Sequence, residues 1–193
     1  LRKAKDKGAY TLGIVNVQGS TIASESDCVV YTQAGPEIAV ATTKAYSAQL
    51  SVIYFISALM CKDAVLKEKI IKELFCLPNL IEKTLQMCRK EGEKISMLFA
   101  QKQSSYFIGR NTDFPAAMEG ALKMKEISYI HCEAYAAGEL KHGTISLVED
   151  NTLVIGDQIF TDTLGANNAG VIPILVEAID NHNFWLKARH VLE

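Results

Sequence analysis

The sequence predicts an α/β protein with parallel sheets in three layers, helices on both faces, and a short α/β tail. Along its 193 residues, short runs rich in β-branched side chains alternate with long stretches of strong helix formers. That alternation is typical of parallel strands joined by helices. With 49% hydrophobic residues, the chain can bury a substantial core. Parallel strands are expected near residues 11–16, 28–32, 105–109, 152–156 and 171–176.

The charge and cysteine content argue against several classes of partner. The net charge of −2 gives no sign of binding to nucleic acid or to an anionic membrane. The apolar run at residues 50–60 is broken by serine and is too short to span a bilayer, and no signal peptide is recognisable. The five cysteines are odd in number and lack CxxC spacing, so they predict free thiols in a reducing cytoplasm.

The N-terminal third predicts a strand–loop–strand order. Residues 1–9 have the composition of a helix end, and residues 10–17 are the short apolar run of a buried parallel strand. A turn at 18–21 precedes a second strand over 26–32. In such sheets the loops at the carboxyl ends of the strands hold ligands, so the turn is a candidate binding segment.

The middle of the chain predicts helices and then another strand. A long helix is expected over 39–61, followed by two helices within 62–101 that are separated at Pro78, because proline interrupts helical hydrogen bonding. A strand over 104–109 follows, and residues 111–113 provide a loop and a helix N-cap.

The next helix, predicted over 116–131, carries the candidate chemistry. Glu119, Lys123 and Glu126 are spaced i, i+4 and i+7, which puts their side chains on one helix face. His142 lies at the end of the following segment. Two carboxylates, an amine and an imidazole can perform acid–base chemistry on a carbonyl compound. A solvated charged helix face with a surface histidine explains the same spacing.

One long run extends across this region: GRNTDFPAAMEGALKMKEISYIHCEAYAAGELKHGT, residues 109–144. It resembles the second sugar-isomerase (SIS) half of the glutamine–fructose-6-phosphate aminotransferases. The runs GIVNVQGSTIASESD (13–27) and TQAGPEIAVATTKAYSAQL (32–50) resemble the end of the first SIS half. The resemblance covers residues 1–155 and implies an SIS-like, incomplete fold and a place in hexosamine biosynthesis.

The resemblance also implies catalytic roles. In the family, fructose 6-phosphate becomes glucosamine 6-phosphate through an enediol-like intermediate, and Glu126 matches the base that moves the proton between C1 and C2. Lys123 matches a lysine that neutralises developing charge, and Glu119 is placed to orient that lysine. His142 matches the histidine proposed to open the sugar ring across a dimer interface.

Further expectations concern the substrate and the partner. By resemblance, Val17 and Ser20 border the sugar-phosphate site, although an ordinary turn residue also explains Ser20. Expected partners are a sugar phosphate such as fructose 6-phosphate and a second copy of the chain, forming a homodimer. No cofactor is expected for the isomerase chemistry.

The tail has a different resemblance. Residues 152–176, an apolar strand followed by Gly156-Asp157 and Thr161-Asp162, resemble the fourth motif of haloacid-dehalogenase-like phosphatases. In that family the residues matching Asp157 and Asp162 help to hold Mg²⁺, a hard cation that prefers oxygen ligands. The chain has no DxD motif for the phosphatase nucleophile, so the two aspartates form half of a metal site. A join between an isomerase segment and a phosphatase tail is the simplest interpretation.

The expected organisation has four parts. Residues 1–61 are the C-terminal part of a first SIS domain, 62–103 are connecting helices, 104–155 are the N-terminal part of a second SIS domain, and 156–193 are a phosphatase-like fragment. The family's phosphate loop, glutaminase domain and C-terminal lysine have no match in this sequence. We therefore expect no glutamine-dependent synthesis by this chain alone. A non-catalytic sugar-phosphate-binding protein and a phosphatase fragment are the alternatives.

Overall fold

A computed structural model describes residues 1–140, 142–148, 152–156 and 172–176. The chain divides into two compact units, Leu1–Lys90 and Glu91–Glu193. Every strand pair in the described residues is parallel, which confirms the predicted α/β class.

The first unit contains a two-stranded parallel sheet. Strands β1 (Leu12–Val15) and β2 (Cys28–Tyr31) pair in a register that puts Leu12 opposite Cys28, and they confirm the two strands predicted in this part of the chain. The helices that begin in this unit are α1 (Arg2–Lys5), α2 (Thr21–Glu25), α3 (Lys44–Met60) and α4 (Ala64–Phe99), the last of which continues into the second unit.

Asp27 joins α1 to the starts of both strands. Its Oδ2 accepts hydrogen bonds from the Thr11 backbone N–H at 2.8 Å and from the Thr11 hydroxyl at 2.7 Å. Its Oδ1 lies 2.8 Å from Lys5 Nζ. These contacts lower the pKa of Asp27 from 3.8 to about 2, because they stabilise the carboxylate. The hydrogen bond from Lys5 has the largest effect, and the two Thr11 donors come next.

We expect Asp27 to make the stability of the protein depend on acid pH. A carboxyl whose pKa is lowered by folding stabilises the native state above its unfolded pKa, and this stabilisation is lost as pH falls through the folded pKa. The melting temperatures of the wild type and Asp27→Asn should differ at pH 6 and converge between about pH 4 and pH 2. Asp6→Asn, at an exposed carboxylate, is the control; a gap that persists unchanged at pH 2 contradicts the prediction.

Helix α3 begins later than predicted. The sequence predicts a start at residue 39, whereas the helix begins at Lys44. Glu37 Oε1 accepts a hydrogen bond from the Thr43 backbone N–H at 2.9 Å, and Lys44 Nζ donates to the Pro36 carbonyl at 2.7 Å. These contacts hold the preceding residues in a loop, so helix propensity alone does not set the boundary.

The predicted break at Pro78 is wrong. Helix α4 runs for 36 residues from Ala64 to Phe99 with Pro78 inside it. Proline in a helix interior costs about 3 kcal/mol, chiefly through one lost hydrogen bond and a local clash. The surrounding leucines, lysines and glutamates are strong helix formers. Asp63 also caps the start of the helix, because its Oδ1 accepts from the backbone N–H groups of Val65 and Leu66 at 2.9 and 3.1 Å.

The second unit contains a four-stranded parallel sheet in the order β4-β3-β5-β6. Strand β3 pairs with both β4 and β5, so it lies at the centre of the sheet. The predicted strands at 105–109, 152–156 and 171–176 are confirmed. The elements are β3 (Ser104–Gly109), α5 (Asp113–Ser128), β4 (His131–Ala136), a 3-10 helix (Thr144–Leu147), β5 (Thr152–Gly156) and β6 (Ile172–Leu175).

Strand β4 was not predicted, and the helix before it begins and ends three residues earlier than the predicted 116–131. Helix α5 ends at Ser128, where Tyr129 adopts a left-handed conformation with φ 60°. The chain then enters β4 at His131, which pairs with Ser104 of β3. Cys132 is fully buried and accepts a hydrogen bond at its sulfur from the Ser105 hydroxyl at 2.9 Å. Burial raises the pKa of the Cys132 thiol. All five cysteines are free thiols in the structure, as the sequence predicts.

The core of this unit lies on the two faces of the sheet. Leu153 of β5 is fully buried and packs in one cluster with Phe99 and Ile174, against which Met124 of α5 also packs. Ile108 and Val154 form the cluster on the other face, covered by residues Ala137, Leu140 and Val148. The sheet thereby fixes the position of α5, which carries the predicted catalytic side chains.

Candidate functional site

Helix α5 brings Glu119, Lys123 and Glu126 together. Lys123 Nζ lies 2.6 Å from Glu126 Oε2 and 3.5 Å from Glu119 Oε1. The three side chains are half-buried, with 17% of Lys123, 23% of Glu119 and 27% of Glu126 exposed. We call this group the α5 triad. The helical spacing read from the sequence therefore places the three charges in contact.

The charge of Lys123 is stabilised by its neighbours. The hydrogen bond from Lys123 to Glu126 raises the pKa of the ammonium group, and the negative charges of Glu126 and Glu119 add to the shift. Lys123 therefore stays protonated through the neutral range. A protonated lysine is a hydrogen-bond donor and a counter-charge, not a free amine nucleophile.

The opposite side of α5 holds the helix against the sheet. Ala121 is 2% exposed, and a Cβ at Gly120 would lie 3.2 Å from the Phe107 ring of β3, so glycine permits close packing there. At the turn before the helix, a Cβ on Gly109 would lie 2.6 Å from the backbone of Asp113. Only glycine lets β3 turn this tightly into α5. The tight turn fixes where α5, and with it the α5 triad, begins relative to the end of β3.

His142 belongs to a different segment from the α5 triad. It follows β4, its side chain is exposed, and its backbone N–H donates to the Glu139 carbonyl at 3.0 Å. Within the described residues, no hydrogen bond or ion pair joins its imidazole to Glu119, Lys123 or Glu126. The role across a dimer interface therefore stays a prediction.

Val17 and Ser20 lie in the turn after β1, in the first unit. Val17 is 65% exposed. Ser20 caps α2, because its hydroxyl accepts a hydrogen bond from the Ala23 backbone N–H at 3.3 Å. This contact supports the turn-residue interpretation of Ser20, and its role beside a substrate stays a prediction.

Sequence reasoning missed Asn16, which organises the loop after β2. The Asn16 Oδ1 accepts from the Thr32 hydroxyl at 3.1 Å and from the Ala34 backbone N–H at 2.9 Å, while Nδ2 donates to the Gly35 carbonyl at 2.6 Å. A polar amide directly after an apolar strand is the signal that would have identified it, since ligand-binding loops gather at that edge of a parallel sheet.

No metal centre is present in the part of the chain that the structure describes, which holds no group of three His, Cys, Asp or Glu side chains suited to one. Asp157 and Asp162, the half-site predicted for Mg²⁺, lie outside the described residues. Among the described helices, none is long and apolar enough to cross a membrane.

The matching family model is that of the SIS domain, over residues 1–59 and 97–157. The chain belongs to the SIS domain family. The first matched segment contains α1, β1, α2, β2 and nearly all of α3, and the second contains β3 to β5 with the whole α5 triad. Strand β6 lies outside both segments.

Curated relatives carry the same name in different bacteria. The glutamine–fructose-6-phosphate aminotransferase (isomerizing) of Aquifex aeolicus is 47% identical over 155 residues, covering 80% of this chain and 26% of the relative. That of Streptococcus pyogenes is 41% identical over 195 residues, covering 93% of this chain and 32% of the relative. The chain thus spans about a quarter to a third of the length of these relatives.

Solved structures agree with the fold. The C-terminal domain of glucosamine-fructose-6-phosphate aminotransferase from Francisella tularensis matches with a TM-score of 0.82 and 36% identity, over 91% of this chain and 53% of that one. Glucosamine-6-phosphate deaminase from Thermotoga maritima matches with a TM-score of 0.68 and 24% identity, over 90% of this chain and 53% of that one. The second likeness concerns the fold alone.

Proposed function

We propose that the α5 triad is the proton-transfer centre of a sugar-phosphate isomerase site acting on a ketose phosphate such as fructose 6-phosphate. The observation that carries the proposal is the contact of one ammonium group with two carboxylates on a single helix face. The names of the Aquifex and Streptococcus relatives, which refer to fructose 6-phosphate and to isomerisation, supply the substrate class.

In the proposed reaction Glu126 removes the proton from C1 of the open-chain ketose. The C1–H bonding pair forms a C1–C2 double bond, and the C2 carbonyl becomes an enediol oxygen. The C1 hydroxyl proton passes to the C2 oxygen, the C1 carbonyl forms, and return of the abstracted proton to C2 gives the aldose. Lys123, held as a cation, stabilises the developing negative charge on oxygen, and Glu119 positions Lys123. These steps need no metal ion and no organic cofactor.

The other sequence-predicted residues complete the proposal. His142 assists ring opening from a second subunit, which makes the active form a homodimer, and Val17 and Ser20 border the bound sugar phosphate. The match of the family model in two segments supports a division into parts of two SIS domains, 1–61 and 104–155, joined by helical residues 62–103. A phosphorylated substrate and five free thiols favour the cytoplasm.

The assignment of residues 156–193 to a phosphatase-like fragment has weaker support. The Streptococcus relative covers 93% of this chain, so part of that alignment falls within the last 38 residues. Because the alignment with an aminotransferase continues into residues 156–193, it favours an origin of that segment in the same isomerase family. Mg²⁺-dependent release of phosphate from a generic ester is the observation that would favour the phosphatase interpretation instead.

The proposal is tested by incubating the full chain with fructose 6-phosphate in heavy water and following deuterium at C1 and C2 by NMR. Time-dependent incorporation above that of buffer supports enolisation. Binding of the sugar phosphate, seen as a raised melting temperature without any incorporation, supports a non-catalytic binding protein instead.

We expect Lys123→Met to lower the exchange rate about 100-fold, because it removes a preorganised cation that acts on developing charge. The loss should fall on kcat with little change in KM, as for an interaction made mainly in the transition state. Lys125→Met, at an exposed lysine two residues away, is the matched control and should retain the wild-type rate. An equal loss in both variants, or a loss confined to KM, argues against the role of Lys123.

A further inference from the structure

The chain after β4 folds back over one face of the four-stranded sheet. Apolar side chains of residues 137–140 and 142–148, which we call the His142 segment, pack against the cluster of Ile108 and Val154. This face is opposite to the one that α5 covers, since neighbouring strand residues point to opposite faces. The side chains that make the contact are Ala137, Leu140 and Val148.

Local hydrogen bonds give the His142 segment its shape. The His142 backbone N–H donates to the Glu139 carbonyl at 3.0 Å, and the Ile145 N–H donates to the Leu140 carbonyl at 3.0 Å. Gly143 has a φ of 126°, a conformation that residues with a Cβ rarely adopt. Each of these features is internal to the segment, so none of them sets the distance of His142 from β4.

A polar connection between β4 and the segment passes through Tyr135. Its hydroxyl donates a hydrogen bond to Glu133 Oε2 on the same face of the strand. The Thr144 hydroxyl, two residues after His142, donates to the Tyr135 oxygen. All three side chains of this connection are half-buried, which strengthens hydrogen bonds relative to those in open water. We call Glu133, Tyr135 and Thr144 the Tyr135 connection.

The sheet fixes the strand end of the Tyr135 connection. Pairing of β4 with β3 puts Glu133 beside Tyr106, which is 2% exposed. The rings of Tyr106 and Tyr135 are tilted by 52°, with centroids 5.9 Å apart. The hydrogen bond to Glu133 raises the pKa of Tyr135 and burial adds to this shift, whereas the hydrogen bond from Thr144 acts in the opposite direction. Tyr135 therefore keeps its proton at neutral pH and remains a donor.

We propose that Tyr135 and Glu133 are positioning residues, which hold the His142 segment at the distance from β4 that lets the imidazole act on the ring oxygen of a cyclic ketose phosphate. The inference rests on the proposed function, because it needs His142 as the ring-opening group. In that step His142 delivers a proton to the ring oxygen while the C2–O bond breaks, and the anomeric hydroxyl releases its proton to water as the C2 carbonyl forms.

Ring opening and proton transfer can be measured separately. The His142 segment and α5 cover opposite faces of the sheet, so a shift of the segment leaves Lys123 and Glu126 in contact. The ring of fructose 6-phosphate is closed through its 5-hydroxyl, whereas 5-deoxyfructose 6-phosphate lacks that hydroxyl and stays open. A positioning defect at His142 should slow deuterium incorporation into the first sugar and not into the second.

The test measures deuterium incorporation at C1 and C2 of both sugars by NMR with the full chain. Tyr135→Phe keeps the ring and removes the hydroxyl. It should lower the rate about tenfold with fructose 6-phosphate and by less than about twofold with the open sugar, since a small displacement of a reacting group is costly. Thr144→Val should show the same pattern. The double variant should lose no more than either single variant, because both substitutions break one connection.

Variants of Glu133 distinguish loss of the hydrogen bond from general disturbance of the strand. Glu133→Gln keeps an acceptor for the Tyr135 hydroxyl and should retain the wild-type rate to within about threefold, whereas Glu133→Leu should resemble Tyr135→Phe. Tyr129→Phe is the matched control, because it removes the hydroxyl of a tyrosine that is 90% exposed. This control should retain the wild-type rates with both sugars.

A second measurement does not depend on activity. The backbone N–H groups of Ile145 and Ser146 are hydrogen-bonded within the His142 segment, and their amide hydrogen exchange should be about tenfold faster in Tyr135→Phe. The amides of β1 and β2 should be unchanged. A wild type that incorporates no deuterium into either sugar refutes the proposed function, and the amide measurement then decides by itself whether Tyr135 holds the segment.

Three results overturn the inference. An equal loss with both sugars in Tyr135→Phe indicates damage to proton transfer and not to ring opening. A wild-type rate with fructose 6-phosphate in the same variant shows that the hydroxyl has no effect on His142. Unchanged amide exchange at Ile145 and Ser146 shows that the Tyr135 connection does not hold the segment.

Discussion

Glu126→Gln is expected to reduce deuterium exchange at C1 and C2 of fructose 6-phosphate by about 1000-fold, within the range for loss of a general base. Glutamine has nearly the same shape, and its amide oxygen can still accept the hydrogen bond from Lys123. It is not basic, so the proton on C1 has no acceptor. The measurement is the initial rate of deuterium incorporation by NMR, with thermal melting recorded in parallel.

Two further variants separate the base from its surroundings. Glu93→Gln makes the same chemical change at an exposed glutamate of α4 and should retain full exchange. Glu126→Asp keeps a carboxylate but withdraws it by about 1 Å, which is expected to cost about 100-fold. Exchange that continues at the wild-type rate in Glu126→Gln excludes Glu126 as the base, whatever its contact with Lys123.

The α5 triad could be predicted because helical geometry is local. Residues spaced i, i+4 and i+7 lie on one face of any α-helix, so Glu119, Lys123 and Glu126 meet once the segment is helical. The composition of that segment favours a helix strongly. The structure adds that one ammonium group contacts both carboxylates, at 3.5 and 2.6 Å.

Strand β4 could not be predicted from propensity. Its sequence, His-Cys-Glu-Ala-Tyr-Ala, contains alanine and glutamate, which favour helices, and strand formation depends on the neighbours of a segment in the sheet. Pairing with β3 and the burial of Cys132 decide the outcome. Continuity of α4 through Pro78 has a different origin, because many favourable positions within the helix itself offset one unfavourable residue.

Sequence spacing does not predict roles that depend on residues far apart in the chain. No neighbouring residue in the sequence determines what the His142 side chain contacts. The spacing also gave no indication that the Ser20 hydroxyl would cap α2. Asn16 shows the opposite case. Its position at the end of a strand is visible in the sequence, yet its three hydrogen bonds to residues 32–35 depend on the parallel return of β2.

Leu153→Ala is expected to lower the free energy of unfolding by about 3 kcal/mol. Leu153 is fully buried in β5, and its cluster joins Phe99 at the end of α4, Ile174 of β6 and Met124 of α5. Truncation removes buried methyl groups and leaves a cavity that a rigid sheet closes only in part. The corresponding fall in melting temperature is about 6–12 °C for a chain of this length.

Leu85→Ala is the matched control, because it makes the same change at a side chain that is 63% exposed on α4. It should change stability by less than about 0.5 kcal/mol. The comparison uses urea unfolding monitored by circular dichroism, with equal slopes required before the midpoints are compared.

Since Met124 packs against the same cluster, the cavity lies beneath the helix that carries Lys123 and Glu126. We therefore expect Leu153→Ala to retain deuterium exchange into fructose 6-phosphate at 15 °C. On heating, the variant should lose this exchange at a lower temperature than the wild type. Equal urea midpoints for Leu153→Ala and Leu85→Ala contradict this account of the core.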